Sequence, residues 1–108
     1  MIIVGAALLG AGCGHVPRSG TDDAVVVGRV QTLDHEVLDE WGLNVQFTGR
    51  LNVTRVVSGR PPSAVLTIRY IAHSSLAADR EFPFRLRRSE GDVWLVCREG
   101  GGRGYVCD

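Results

Sequence analysis

Hydrophobic and polar residues alternate most regularly between residues 43 and 53 of the chain. The apolar positions of this segment are Leu43, Val45, Phe47, Leu51 and Val53. A period of two places one face of a β-strand in the core and the other face in water. We therefore predict a strand here, with Gly49 on its inner face, where the strand bends or a neighbouring strand passes closely. Two prolines end the run at residues 61 and 62.

Shorter segments on both sides of this strand also have strand character. Residues 24–33 hold four valines, and Gly28 inside this run predicts a bulge or a sharp bend. Residues 65–71 alternate, which predicts an inner face composed of Leu66, Ile68 and Tyr70.

The C-terminal part of the chain predicts one short helix and two more strands. Residues 73–80 (HSSLAADR) lack strand character and offer a serine as the N-cap of one or two helical turns. Residues 82–87 alternate apolar and polar positions, with Pro83 typical of an edge or bulged strand. After a turn at residues 89–92, we expect one face of the last long strand to hold Val93, Leu95 and Cys97.

The order strand, long strand, strand, short helix, strand, strand predicts an all-β fold, namely a small OB-fold-like Greek-key barrel with one short helix. An open β-sandwich is the alternative. The segments VVVGRV, LNVTRVVSGRPP and WLVC make residues 24–107 similar to OB domains of the netrin and tissue-inhibitor type. The chain lacks the N-terminal cysteine pattern that carries inhibition in the animal members, so the resemblance implies no functional residue.

The first residues of the chain have the composition of an export signal. Residues 2–12 are apolar or small, and this run is shorter than the approximately 20 residues that a membrane-spanning helix needs. The sequence LLGAG directly before Cys13 resembles the lipobox of bacterial lipoproteins. This resemblance implies a signal peptide at residues 1–12, a lipid-anchored tether at 13–23 with Cys13 lipidated, and a barrel domain at 24–108.

The same resemblance implies a location in the cell envelope. Gly14 stands where an aspartate would resemble an inner-membrane retention signal, so we expect the outer membrane. A soluble export signal, with a periplasmic or secreted product, is the alternative. Acidic and basic residues balance at 12 each, which argues against nucleic-acid binding by bulk electrostatics.

The other two cysteines are predicted to form a structural disulfide. If a hairpin turns about Gly102, Cys97 and Cys107 lie opposite each other on antiparallel strands, at a separation that a disulfide can bridge. Reduced core thiols are the alternative. Ten positions separate the two residues, so they form no CxxC redox motif. Without a nearby His pair, two thiols at this spacing do not predict a zinc site.

Candidate ligand-binding residues fall into two groups. The acidic segment at residues 34–40 includes His35 and could bind a cation, but we favour a solvated loop and predict no metal site and no cofactor. A possible anion-binding face on the sheet exterior is formed by Arg69, Arg85, Arg87 and Arg88. The alternative is that these arginines only keep the sheet edge soluble and prevent it from pairing with other chains. Trp41 and Trp94 are expected to be either contact residues or part of the core.

These features together predict a non-enzymatic binding or structural module of the cell envelope. Its partners would be the membrane, through the N-terminal lipid, and an envelope protein or polymer. An exported protein inhibitor of an enzyme is one alternative. A thiol- or metal-dependent enzyme is another, and it would require a free Cys97 or metal uptake by residues 34–40. No Ser, His and Asp set has a recognisable local context.

Overall fold

The structure, a computed structural model, describes residues 22–98 and 104–107. Five β-strands form within these residues. Their bounds are β1, Asp23–Val37; β2, Val45–Gly59; β3, Val65–Ala72; β4, Phe82–Arg88; and β5, Val93–Val96. The first strand thus begins one residue before the predicted start of the domain.

The five strands close into a barrel in the order β1-β2-β3-β5-β4, with β4 returning to β1. All neighbouring pairs are antiparallel except β3 and β5, which are parallel. The prediction of an all-β, OB-fold-like barrel is confirmed. The alternative, an open β-sandwich, is wrong because β1 pairs on one side with β2 and on the other with β4, which joins the two edges of the sheet.

The inner faces of the strands form one apolar core. The inward residues of β3 are those that the alternation predicted, Leu66, Ile68 and Tyr70, and all three are buried. Trp94 is the largest fully buried side chain. No charged or polar residue among those described is buried, so the barrel interior is held together by apolar contact.

Two glycines allow the strands to pass closely enough to close the barrel. Gly28 lies at a bulge of β1, and a Cβ atom there would stand 2.3 Å from the carbonyl oxygen of Asn52 on β2. Gly49 lies on the inner face of β2, where a Cβ atom would stand 2.9 Å from the carbonyl oxygen of Gln31. Both positions therefore exclude a side chain, as the pattern predicted for a bend and for a close approach.

The short helix predicted at residues 73–80 does not form, and no helix occurs among the described residues. The segment is an irregular connection from β3 to β4. The backbone N–H of Leu76 donates a hydrogen bond of 3.0 Å to the hydroxyl oxygen of Tyr70, which also lies 2.8 Å from Oγ1 of Thr32. A helix of one or two turns has a costly nucleus, and here a tertiary hydrogen bond to the barrel takes its place.

The structure also decides between the two alternatives for Trp94, which is part of the core. Trp94, and not Val93 or Leu95, points into the barrel, where it is 1% exposed and faces Ile68 of β3. Because the indole is by far the largest side chain of this strand, its burial removes the most apolar surface from water. Cys97 is also buried, but it lies beyond the end of β5.

A candidate docking site at the tip of the β1–β2 hairpin

The long strands β1 and β2 form a hairpin, and near its loop β1 pairs only with β2. Leu33 is an extra, unpaired residue of β1 between Thr32 and Asp34, and beyond this bulge the pairing continues to Val37 opposite Val45. A bulge bends a strand and changes the direction in which the following side chains point. Residues 33–38 are all exposed, so this part of β1 is an exposed edge that leads into the loop at residues 38–44. The facing residues of β2, Val45 and Phe47, are buried and belong to the core.

One carboxylate closes that loop. Asp39 accepts hydrogen bonds from the backbone N–H of Leu43 at 2.9 Å and from Nδ2 of Asn44 at 2.8 Å. The N–H of Gly42 donates to the carbonyl oxygen of Asp39 at 3.2 Å, and the N–H of Leu38 donates to that of Asn44 at 2.8 Å. Gly42 has a φ of +72°, a left-handed conformation that favours glycine. The loop is therefore a closed, hydrogen-bonded turn.

Hydrogen bonding also sets the charge state of the Asp39 carboxyl. Partial removal from water raises its pKa, but the hydrogen bonds from Asn44, Leu43 and Gly42 outweigh this effect and hold the pKa below its usual value. The carboxylate is thus ionised at neutral pH and serves as the acceptor that the turn needs.

Apolar side chains project from this closed turn into solvent. Trp41 is 77% exposed, and Leu38 and Leu43 on either side of it are about half exposed. Val37, at the end of β1, is similarly exposed. Single exposed apolar residues are common on proteins, whereas several on one projecting element mark an interaction site. We refer to Leu38, Trp41 and Leu43 as the apolar tip.

The base of the hairpin is attached to the barrel. Nδ1 of His73, in the β3–β4 connection, donates a hydrogen bond of 2.6 Å to the carbonyl oxygen of Leu43. Below it, the rings of Phe47 on β2 and Tyr70 on β3 stack with their centroids 5.1 Å apart. These contacts hold the tip in a fixed position relative to the core, so it does not have to be ordered on binding.

The predicted arginine face is assembled only in part. Arg69 on β3 and Arg87 on β4 are the two cross-strand neighbours of Leu95 on β5. Two strand spacings place the Cα atoms of these arginines about 10 Å apart. Arg85 lies on the outer face of β4, two residues from Arg87. Arg88 is turned to the end of the barrel, where its guanidinium lies 3.5 Å from Asp92 and donates a hydrogen bond to the carbonyl oxygen of Gly91.

An ion pair occupies part of this face as well. Nε of Arg87 donates a hydrogen bond of 2.7 Å to Asp23, and the Arg87 side chain is largely buried. The guanidinium of Arg69 has no carboxylate within 4 Å among residues 22–98 and 104–107. The ion pair between Arg87 and Asp23 therefore neutralises part of the cationic character of this face.

The C-terminal segment lies against the same face, a contact that sequence reasoning missed. The hydroxyl of Tyr105 donates a hydrogen bond to Oε1 of Gln46 on β2. Burial raises the pKa of the Tyr105 phenol. The Arg69 guanidinium nearby lowers this pKa and the Glu36 carboxylate raises it, so the pKa stays above its usual value. Tyr105 therefore remains protonated and able to donate this hydrogen bond at neutral pH.

A disulfide between Cys97 and Cys107 holds that segment, with the two Cα atoms 5.5 Å apart. The prediction that an antiparallel hairpin aligns the two cysteines is wrong. Cys97 and Tyr105 instead form an isolated parallel bridge, in which the N–H of Tyr105 donates to Val96 and the N–H of Arg98 donates to Tyr105. The glycine-rich residues 99–103 lie outside the described part of the chain.

The acidic segment is largely strand and not loop. Asp34 and Glu36 alternate with His35 along β1, and the His35 ring lies 6.4 Å from that of Phe47. Asp39 is already hydrogen-bonded within the turn. Among the described residues, no group of three or more His, Cys, Asp or Glu side chains is arranged to hold a metal ion.

The signal that could have located the tip is local. Asp39 and Gly42 stand three residues apart around an exposed tryptophan, a spacing typical of a tight turn. The alternation instead assigned Leu43 to the inner face of β2, which begins two residues later.

The predicted leader at residues 1–12 and the predicted lipidation site Cys13 lie outside the described residues. Within the described part of the chain, no helix has the length and apolar character needed to cross a bilayer. Comparison of the chain with models of known families, with curated proteins and with solved structures finds no match.

Proposed function

We propose that this chain is a non-enzymatic, lipid-anchored module of the cell envelope that binds another envelope protein through the apolar tip. The observation that carries the proposal is the exposure of Trp41 on a turn that its own hydrogen bonds hold closed. Tryptophan is among the residues that contribute most to protein interfaces. A turn that is already ordered loses little conformational entropy when its partner binds.

The neighbours of Trp41 favour a protein over a polysaccharide as the partner. A tryptophan that stacks on a sugar ring needs polar groups beside it to bind the hydroxyls. Here the flanking side chains, Leu38 and Leu43, are aliphatic, and the Asp39 carboxylate accepts hydrogen bonds from within the turn. Glu40 is then the one exposed carboxylate of the turn beside the indole. An apolar groove on another protein would bury all three tip residues.

The anchor in this proposal rests on the sequence before Cys13. Residues 8–12 resemble a lipobox, which implies cleavage after Gly12 and acylation of Cys13. The described chain begins at the start of β1, whereas the apolar tip follows the end of β1, 15 residues later. A strand of 15 residues spans up to about 50 Å, so the proposed anchor and the tip are separated by the length of β1, which would direct the tip away from the anchoring membrane.

The projecting turn also favours a second candidate, an exported inhibitor that inserts this loop into the cleft of an enzyme. An inhibitor forms a tight one-to-one complex that abolishes the activity of its target, whereas a docking module leaves its partner active. An enzyme activity based on Cys97 would need a free thiol at this residue, whereas the structure has a disulfide there.

The intact mass of the protein from the membrane fraction tests the anchor. We expect loss of residues 1–12, a mass increase equal to two or three acyl chains, and two thiols that react with an alkylating reagent only after reduction. A matched Cys13→Ser variant serves as the control and is expected to lack the acyl mass. An unprocessed, unacylated chain in the soluble fraction would contradict the proposal.

A further inference from the structure

The end of the barrel opposite the apolar tip carries a second group of exposed apolar residues. Val56 and Val57, in the last part of β2, are 47% and 55% exposed, and Val65 at the start of β3 is similarly exposed. The β2–β3 connection beside them contains Pro61 and Pro62. Val56 lines one hollow with both prolines, and Val65 lines another with Pro62, where β2 turns into β3.

The pairing of β2 explains why these valines are exposed. The ladder between β2 and β3 ends at Asn52, opposite Val65, and is extended by a single hydrogen bond of 2.8 Å from the N–H of Val53 to the carbonyl oxygen of Ala64. Beyond that point β2 pairs only with β1, and Val57 lies at a bulge between paired residues 56 and 58. The last residues of β2 therefore have no neighbouring strand on one edge, whereas on the other edge they pair with core residues of β1.

The N-terminal chain enters the domain at this same end. A Cβ atom on Gly59 would stand 2.3 Å from the carbonyl oxygen of Asp23, so the start of β1 lies directly against the end of β2. Nine residues, 14–22, separate Cys13 from this point, and a chain of that length spans at most about 30 Å. A lipid on Cys13 would keep these valines within that distance of the bilayer.

We propose that this end of the barrel, residues 55–65 with Val56, Val57 and Val65 as its apolar contacts, rests on the surface of the membrane that holds the lipid anchor. The inference rests on the proposed anchor at Cys13 and assigns the orientation of the domain on the bilayer. The valine side chains enter the headgroup region, while Arg55 and Arg60 on the same segment contact lipid phosphates.

The charges at this end indicate that apolar contact carries the interaction. Arg87 pairs with Asp23 and Arg88 with Asp92. Beyond these pairs, Arg55, Arg60 and Arg85 lie at this end together with Asp22 and Glu90, so its formal charge is only +1. We therefore expect its contact with the bilayer to depend only weakly on the fraction of anionic lipid.

Fluorescence quenching by brominated lipids tests this orientation. Acylated protein of verified mass is reconstituted into vesicles of phosphatidylethanolamine and phosphatidylglycerol that contain a lipid brominated near its headgroup. The unsubstituted protein reports on Trp41 at the opposite end, and the double variant W41F/V57W reports on the valine end. Trp94 is buried and gives the same background in both proteins.

We expect the introduced tryptophan of W41F/V57W to lose at least half of its fluorescence, and the signal of Trp41 to change by less than a tenth. A variant W41F/V65W places the reporter at a second exposed position of the same end, in case V57W fails to fold. Quenching of Trp41 alone, or of neither reporter in acylated protein, would overturn the orientation. Absence of acyl mass would instead overturn the anchor, and the inference with it.

Discussion

The side-chain amide of Asn44 donates a hydrogen bond of 2.8 Å to the carboxylate of Asp39, across the turn that displays Trp41. The same carboxylate accepts the backbone N–H of Leu43. One charged group therefore adds to the backbone hydrogen bonds that keep the apolar tip an ordered surface. This relationship makes the binding proposal testable without changing any apolar residue.

Replacement of Asp39 by alanine is expected to disorder the tip and leave the barrel intact. The N–H groups of Leu43 and Asn44 lose their acceptor, so we expect their amide hydrogen exchange to become at least tenfold faster. Exchange at Ile68 in the core should not change. Glu40→Ala removes the neighbouring exposed carboxylate and is the matched control. Equal effects of the two substitutions would contradict this account of the turn.

The turn is also expected to open in acid. Hydrogen bonds hold the pKa of Asp39 below 3.8, so their contribution is fully present above pH 3.8 and is lost as the pH falls through the lower pKa of the folded protein. The side-chain amide resonance of Asn44, followed by NMR from pH 6 to pH 2, should shift only below pH 3.8. A midpoint above 3.8, or the same shift in an Asp39→Asn variant, would show that another group controls the turn.

Substitution of Gly28 by alanine is expected to damage the barrel itself. The added Cβ atom would overlap the carbonyl oxygen of Asn52, and we expect the free energy of unfolding to fall by about 2–4 kcal/mol in urea titrations. Gly91→Ala is the control, because its Cβ atom would meet nothing within 4 Å and only its φ of +62° opposes the change. That strain costs about 1 kcal/mol. A smaller loss at Gly28 than at Gly91 would refute the close approach of β1 and β2.

Reduction of the disulfide is expected to release the C-terminal segment. The bridge joins residues ten positions apart, and closure of such a loop contributes about 2–3 kcal/mol to the free energy of unfolding. We expect urea unfolding with a phosphine reductant to show this loss, together with faster exchange at the N–H groups of Arg98 and Tyr105. Tyr105→Phe in the oxidised protein removes only the hydrogen bond to Gln46 and should have the smaller effect. An unchanged midpoint on reduction would contradict a stabilising role for the bridge.

The barrel could be predicted because its strands are covered on one face only. Leu66, Ile68 and Tyr70 alternate with exposed residues, so the pleat of β3 is visible in the sequence. The extension of β1 past Leu33 was missed since both of its faces are exposed, and the apolar contrast that marks a strand is absent there. Its acidic residues therefore resembled a loop.

The features that the sequence left open or missed involve contacts between distant parts of the chain. The four residues of β5 are too few for alternation to determine which face is buried, and the choice depends on the space that Ile68 and its neighbours leave for Trp94. Tyr105 contacts Gln46, 59 residues away, because a parallel bridge and a disulfide place it there. Neither relationship leaves a periodic signal in the sequence.

Photo-crosslinking in living cells tests the central claim most directly. A photoreactive phenylalanine analogue replaces either Trp41 at the tip or Thr67, which is exposed on the outer face of β3. We predict one discrete adduct with an envelope protein from position 41, its loss when Asp39→Ala is added, its retention with Glu40→Ala, and no adduct from position 67. The absence of an adduct at position 41, or the same adduct from position 67, would contradict binding through the tip.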